Sequence, residues 1–181
     1  MGEAMPVSRR GVGTVLGSFA MVAATALGAP AAHAHGSSSF ECTGQENITY
    51  GGLGLSSEPT TVSVDGLYHC SDDSGWKATA PYHTEGTTPG TCLLFASNQS
   101  RETVRYSDGT KSVIEYKNGT STRLLGVNRA TLHGVVVAGR GKGSTAQKTI
   151  QTLPDGLPTD CALAGGIRHS TGFTHLSVGA A

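Results

Sequence analysis

The chain is poor in charged and aromatic residues, which limits the partners it can attract. Only 14% of its 181 residues are charged and 6% are aromatic, and its formal net charge is zero. A neutral chain has no broad electrostatic attraction for nucleic acid or acidic lipid. We therefore expect no nucleic-acid partner. The 26 glycines, together with abundant Ser and Thr, are typical of a β-rich protein.

The sequence also lacks the common motifs of catalysis and metal binding. It contains no Gly-x-Ser-x-Gly and no Cys-x-x-Cys. The glycine-rich run Gly139–Ser144 does not fit the phosphate-loop pattern, because Lys142 is followed by Gly143. We interpret this run as a hairpin turn. Arg140, Lys142 and Lys148 form at most a small anion-binding spot.

The N-terminal apolar stretch of the sequence resembles an export signal. No second apolar stretch approaches the roughly 20 residues that span a bilayer. Arg9 and Arg10 precede a run of low polarity from 11 to 27, and Ala32-His33-Ala34 provides a small-x-small cleavage pattern. We predict a signal peptide over 1–34 and a secreted domain over 35–181, with cleavage after Ala31 or Ala32 as alternatives.

Four cysteines lie in the predicted secreted part, and an even number in an exported chain predicts two disulfides. They are Cys42, Cys70, Cys92 and Cys161. Three pairings are possible. A turn around 51–59 lies midway between Cys42 and Cys70, so antiparallel strands on either side of it would bring these two together. Cys92–Cys161 follows by elimination.

Short runs of β-forming residues, separated by turn signals, predict an all-β fold. Asp108-Gly109 lies between two alternating runs, which is a strong hairpin signal, and Asn118-Gly119 predicts a second turn. Turn signals every 8 to 12 residues favour a sandwich or barrel. We predict a two-layer antiparallel β-sandwich of Ig-like or Greek-key type, stapled by two disulfides. Ser71–Gly90 would be a long loop, or a loop with an irregular edge strand.

Several of these motifs occur together in a known group of proteins. They are Cys42-Thr-Gly44, Ile48-Thr-Tyr50, Thr61–Val64, Tyr106-Ser-Asp-Gly-x-x-Ser112 and Leu157-Pro-Thr-Asp-Cys161 followed by Gly165-Gly166. This layout resembles small secreted β-sandwich proteins of actinobacteria, a group without an assigned function. The resemblance implies the fold and export, and it transfers no functional residues.

The most specific chemical hypothesis concerns His35. Cleavage after Ala34 would place His35 at the mature N-terminus, where its α-amino group and imidazole can bind one copper ion, as in the histidine brace of lytic polysaccharide monooxygenases. His133 is our preferred second ligand because it lies in a predicted strand. The other candidates are His69, His83, His169 and His175. His169 and His175 are six residues apart, so a strand would place them on one face.

We expect a monomeric, non-enzymatic extracellular or cell-surface binding module that takes an unknown extracellular ligand or protein and needs no cofactor. One alternative is the copper protein or oxidative enzyme using His35. Another is a secreted protein inhibitor that presents an exposed loop such as 71–90. Four aromatic residues of the first half would form a carbohydrate platform if they shared an exposed face, and would otherwise be core residues. They are Tyr50, Tyr68, Trp76 and Tyr82.

Overall fold

The described part of the chain consists of antiparallel strands joined by turns. The computed structural model describes residues 39–55, 58–88, 90–91, 94–95, 99–124, 127–153 and 166–179, all of which belong to the compact unit His35–Ala181. The strands are β1 Phe40–Leu53, β2 Thr60–Ser71, β3 Lys77–Thr88, β4 Gly90–Thr91, β5 Leu94–Phe95, β6 Gln99–Arg105, β7 Lys111–Leu124, β8 Val127–Gly139, β9 Thr145–Leu153 and β10 Ile167–Gly179. Within these residues, no helix is long and apolar enough to cross a membrane.

Eight of the strands close into a barrel in the order β1-β10-β9-β8-β7-β6-β3-β2. Apart from the small β4–β5 sheet, each strand pairs with its neighbour in the chain, and β10 closes the barrel against β1 from Phe40↔Val178 to Thr49↔His169. The predicted two-layer sandwich is therefore wrong. A strand with one buried face has the same alternating pattern in a sandwich and in a barrel, so the pattern could not reveal that the first and last strands pair.

The first predicted hairpin is confirmed. β1 and β2 pair across the predicted turn region, Cys42 lies directly opposite Cys70, and the two form a disulfide. Their sequence separation is 28, so the bridge contributes about 3–4 kcal/mol in the chain-entropy model. Cys92 and Cys161 lie outside the described residues, and the second bridge stays a prediction.

Two of the other predicted turns are confirmed. Asp108-Gly109 joins β6 to β7, and the glycine-rich run 139–143 joins β8 to β9. Asn118-Gly119 does not form the turn predicted there, because β7 continues through it to Leu124. The register shifts between Tyr116 and Asn118, so a local irregularity absorbs these residues while the strand goes on pairing with β8.

The segment 71–90 is neither a long loop nor an irregular edge strand. Most of it is β3, a regular strand of the barrel wall that pairs with β2 on one side and β6 on the other. Ala78, Ala80 and Thr84 point inward on this strand, and such small or polar residues give only a weak hydrophobic alternation. The inhibitor hypothesis named this segment as one example of an exposed loop; β3 removes that example, and the hypothesis stays a prediction.

Glycines make room for large rings inside the barrel. Three buried tyrosines lie directly opposite glycines of a neighbouring strand: Tyr68 opposite Gly44, Tyr82 opposite Gly66 and Tyr116 opposite Gly134. A Cβ atom on Gly66 would stand 2.4 Å from atoms of the Tyr82 ring. The glycines therefore allow the rings to lie against the barrel wall and to direct their hydroxyl groups toward the centre.

Candidate functional site

A charged cluster occupies the middle of the barrel. Lys148 on β9, Glu46 on β1 and Glu102 on β6 are all at most 2% exposed. The Lys148 Nζ atom lies 2.9 Å from Glu46 Oε2 and 2.7 Å from Glu102 Oε2. Burial alone would lower the pKa of Lys148, but the two carboxylates raise it well above its ordinary value. Lys148 is thus a permanent ammonium ion that faces two carboxyl groups.

Three hydroxyl groups donate hydrogen bonds to the carboxylate of Glu102. Thr84 Oγ1 donates to Glu102 Oε2 at 3.0 Å, and Tyr68 and Tyr116 donate to Glu102 Oε1 at 3.3 and 3.4 Å. Burial, followed by the nearby Glu102 charge, raises the pKa values of Tyr68 and Tyr116 well above the ordinary one. Both tyrosines therefore stay protonated donors, and both oxygens of Glu102 have partners.

Glu46 differs from Glu102 because one of its oxygens has no partner. Its Oε2 accepts a hydrogen bond from Tyr82 at 2.6 Å and contacts Lys148, whereas its Oε1 is buried without a hydrogen-bond partner among the described residues. A buried carboxylate oxygen in this state carries a desolvation penalty. The oxygen is itself enclosed by protein, so it marks a local energetic cost of the buried cluster.

A cavity of about 50 Å³ lies at one side of this cluster, and Glu46 is the only charged residue among the described residues that line it. Its walls are largely apolar, with Ile48, Val64, Leu132 and Ile150 among them. The lining runs from buried Glu46 to exposed Thr120 on β7, so the cavity connects the charged cluster with the surface.

Tyr50 adds a protonated phenol to the lining of this cavity. Burial, followed by the neighbouring Glu46 charge, raises its pKa above the ordinary value, so it carries no negative charge at neutral pH. Among the described residues that line the cavity, Glu46 is therefore the only one with a carboxyl group.

The two ends of the barrel differ. At the end opposite the cavity, the rings of Phe40, Trp76 and Tyr106 pack edge to face, and the Arg140 guanidinium lies 4.2 Å from the centre of a Trp76 ring. Asp108 accepts hydrogen bonds from Trp76 at 2.9 Å and from Arg140 at 2.7 Å. Short turns join the strands here, so this end is closed.

The cavity end carries the longer connections, 54–59, 89–98 and 154–166. Longer connections around one end of a rigid barrel are where binding sites commonly form.

The predicted histidine ligands do not come together in the described part of the chain. His35 lies outside it, and His133 is exposed on the outer face of β8. No group of three or more His, Cys, Asp or Glu residues is placed there to hold a metal ion. The copper site of His35 and His133 therefore stays a prediction.

The remaining candidate histidines are also exposed on the outside of the barrel: His69, His83, His169 and His175. His169 and His175 share the outer face of β10, as predicted. Six residues of extended strand separate them by about 20 Å, which is too far for one ion. His83 contacts Asp65 at 2.7 Å and Glu85 at 3.2 Å. These two acids, Asp65 first, raise the pKa of His83 above 6.5.

The other candidate groups are placed differently from their predicted roles. Tyr50, Tyr68 and Tyr82 are buried inside the barrel and form no exposed platform. Lys148 is buried in the central cluster, whereas Arg140 belongs to the closed end, so the predicted anion spot does not form.

Sequence reasoning missed Glu46 and Glu102. A signal was present in β1, because Glu46 falls in the same alternating register as Cys42, Ile48 and Tyr50, all of which are buried. A charged residue in the buried register of a strand indicates either a paired buried charge or a site.

The fold and cavity place the chain in the class of eight-stranded up-and-down barrels, whose interiors are filled by side chains or hold one small ligand. Here side chains fill the centre and the closed end, and the cavity remains at the other end. No family model, curated protein or solved structure matches the chain.

Proposed function

We propose that this protein is a secreted, non-enzymatic binding protein that takes a small ligand into the cavity at one end of its barrel. The observation that carries the proposal is a cavity of about 50 Å³ whose described walls are largely apolar and include one buried acidic residue, Glu46. Ligand sites commonly combine apolar lining with a few placed polar groups. Such a ligand would gain free energy from burying apolar surface against these walls.

The Cys42–Cys70 disulfide supports the secreted location, because disulfides persist in oxidising compartments. The predicted leader over 1–34 agrees with that location. The charged cluster supports binding rather than catalysis, because its lysine is held protonated between two carboxylates and is not available as a nucleophile or base.

A ligand series tests the proposal. Straight-chain alcohols, amines and carboxylates of three to six carbons would be titrated into the secreted protein, and the methyl NMR signals of Ile48, Leu132 and Ile150 would report binding in the cavity. Ala130→Leu narrows the cavity, since Ala130 lines it. Thr131→Leu is the matched control, because the neighbouring residue of a strand faces the opposite side.

We expect at least one member of the series to shift the cavity methyl signals in the wild type and in the Thr131→Leu variant, and to have a much weaker effect in Ala130→Leu. If no compound in the series shifts these signals, or if Ala130→Leu and Thr131→Leu respond alike, the proposed cavity is not a binding site.

A further inference from the structure

We infer that the outer wall of the barrel carries a second binding site, which takes the ring of a sugar. The site is a groove of about 460 Å³ that lies over β1 and extends onto β2 on one side and β10 on the other. This volume falls within the range of about 300–1,000 Å³ that is usual for ligand sites. The groove opens on the outside of the barrel, so the inference does not depend on the proposed interior cavity.

An exposed aromatic ring in this groove is bounded by two carboxamides. Phe173 is 57% exposed, although phenylalanine is usually a buried residue. In the register of the sheet, Phe173 lies opposite Gln45 on β1 and opposite Gln151 on β9, and all three residues line the groove. One row across three strands therefore presents an apolar ring between two groups that form hydrogen bonds.

The other polar side chains of the groove extend this pattern. Asn47 lies two residues beyond Gln45 on the outer face of β1, and Thr171 lies directly opposite Asn47 on β10. Neither Asn47 nor the two glutamines form a hydrogen bond with another side chain among the described residues. These three carboxamides are therefore free to bind a ligand.

The combination of an aromatic ring with carboxamides is complementary to a sugar. A carboxamide both donates and accepts hydrogen bonds, as a hydroxyl group does, so each one can bind a hydroxyl group of the sugar in either direction. The C–H groups on one side of a sugar ring form an apolar surface. The face of an aromatic ring is the negative part of its quadrupole and attracts such C–H groups. Phe173 would therefore contact the sugar ring while the carboxamides bind its hydroxyl groups.

The groove is less suited to a peptide strand or to a second copy of the chain. The backbone of β1 is paired with β2 and with β10 along the groove, so a peptide cannot join the sheet there as an added strand. The exposed apolar residues of the row, Leu67 and Phe173, are separated by Gln45. Stable dimers bury about 800 Å² per partner around an apolar centre, and this row interrupts its apolar surface with a carboxamide.

The test is a sugar titration of the secreted protein, followed by NMR. The probes are the methyl pyranosides of glucose, galactose, mannose and N-acetylglucosamine, and the ring signals of Phe173 and the side-chain amide signals of Gln45 and Gln151 report binding in the groove. Phe173→Ala removes the ring and Phe173→Tyr retains it. Val135→Ala is the matched control, because Val135 is 43% exposed on β8 and does not line the groove.

We expect at least one pyranoside to shift the groove signals of the wild type. Phe173→Ala should weaken its binding roughly fivefold or more, whereas Phe173→Tyr and Val135→Ala should retain it. Gln151→Ala should also weaken binding, and Gln147→Ala should not, since Gln147 is exposed on the same face of β9 about 13 Å away. The glutamine pair keeps the inference testable if Phe173→Ala does not fold.

Three results would overturn the inference. The first is that no pyranoside shifts the groove signals. The second is that Phe173→Ala or Gln151→Ala binds the sugar as tightly as the wild type does. The third is that the groove signals shift when the protein alone is concentrated, because a second copy of the chain would then occupy the groove.

The tetrasaccharide of the sugar that binds best distinguishes the two sources of such a ring. If the tetrasaccharide binds more tightly than the single pyranoside, the inference holds with a polysaccharide chain as the ligand. If the two bind equally well, the inference holds with a single sugar as the ligand.

Discussion

Lys148→Met is the substitution that best tests the charged centre of the barrel. It removes the single cation that contacts Glu46 at 2.9 Å and Glu102 at 2.7 Å, and all three side chains are almost completely buried. Breaking a buried ion pair by removing one partner costs about 3–5 kcal/mol, because a charge is left buried without compensation. For a domain of this length, each kcal/mol lowers the melting temperature by about 2–4 °C, so we expect a drop of roughly 10 °C.

Thermal and urea unfolding, followed by circular dichroism, would measure the change. Lys111→Met is the matched control, because Lys111 is exposed on β7 and the same substitution there should alter stability by no more than about 0.5 kcal/mol. In the variant that also carries Glu46→Gln and Glu102→Gln, most of the loss should be recovered, since no unpaired charge remains. The reasoning would be refuted if Lys148→Met were no more destabilising than Lys111→Met.

Two further predictions concern ring packing and pH. Gly66→Ala should destabilise the barrel by about 1–3 kcal/mol in urea unfolding, because the new Cβ would overlap the Tyr82 ring. A Cβ at Gly179 meets nothing within 4 Å, so Gly179→Ala is the control and should be nearly neutral. Similar losses of stability in both variants would contradict the packing argument. The pKa of the His83 imidazole, measured by NMR titration, should lie above 6.5, and Asp65→Asn should lower it. An unchanged pKa in that variant would contradict the contact between His83 and Asp65. Because the folded-state pKa is raised, the stabilising contribution is complete below pH 6.5 and is lost as pH rises through the folded-state value.

Local features of the fold were predictable where a few neighbouring residues decide them. The turn at Asp108-Gly109 was one of them, and so was the pairing of Cys42 with Cys70, because a hairpin with a central turn places residues at equal distances opposite each other. The predictions at 118–119 and 71–90 failed because pairing with neighbouring strands of the barrel, and not the local sequence, decides the structure of these segments. Turn propensity at Asn118-Gly119 is weaker than the continuous pairing of β7 with β8, and β3 belongs to the barrel although its inward residues are small.

The candidate site was not predictable in the same way. Glu46, Glu102 and Lys148 are 46 or more residues apart in sequence, and nothing local indicates that they meet. Their contact depends on the closure of the barrel, which brings β1, β6 and β9 around one axis. The histidines and tyrosines seemed the more promising candidates because their chemistry is recognisable without knowledge of the fold.

The amino-acid sequence by itself determined the β-rich character of this protein, its first hairpin and the Cys42–Cys70 bridge, because period-two alternation and turn residues act over short distances. The tertiary structure decided that β10 pairs with β1, that the sheet closes as a barrel rather than a sandwich, and that its centre is charged. Closure is a long-range event, since the paired strands lie at opposite ends of the domain. Only closure brings Glu46, Lys148 and Tyr82 together next to a cavity with largely apolar walls.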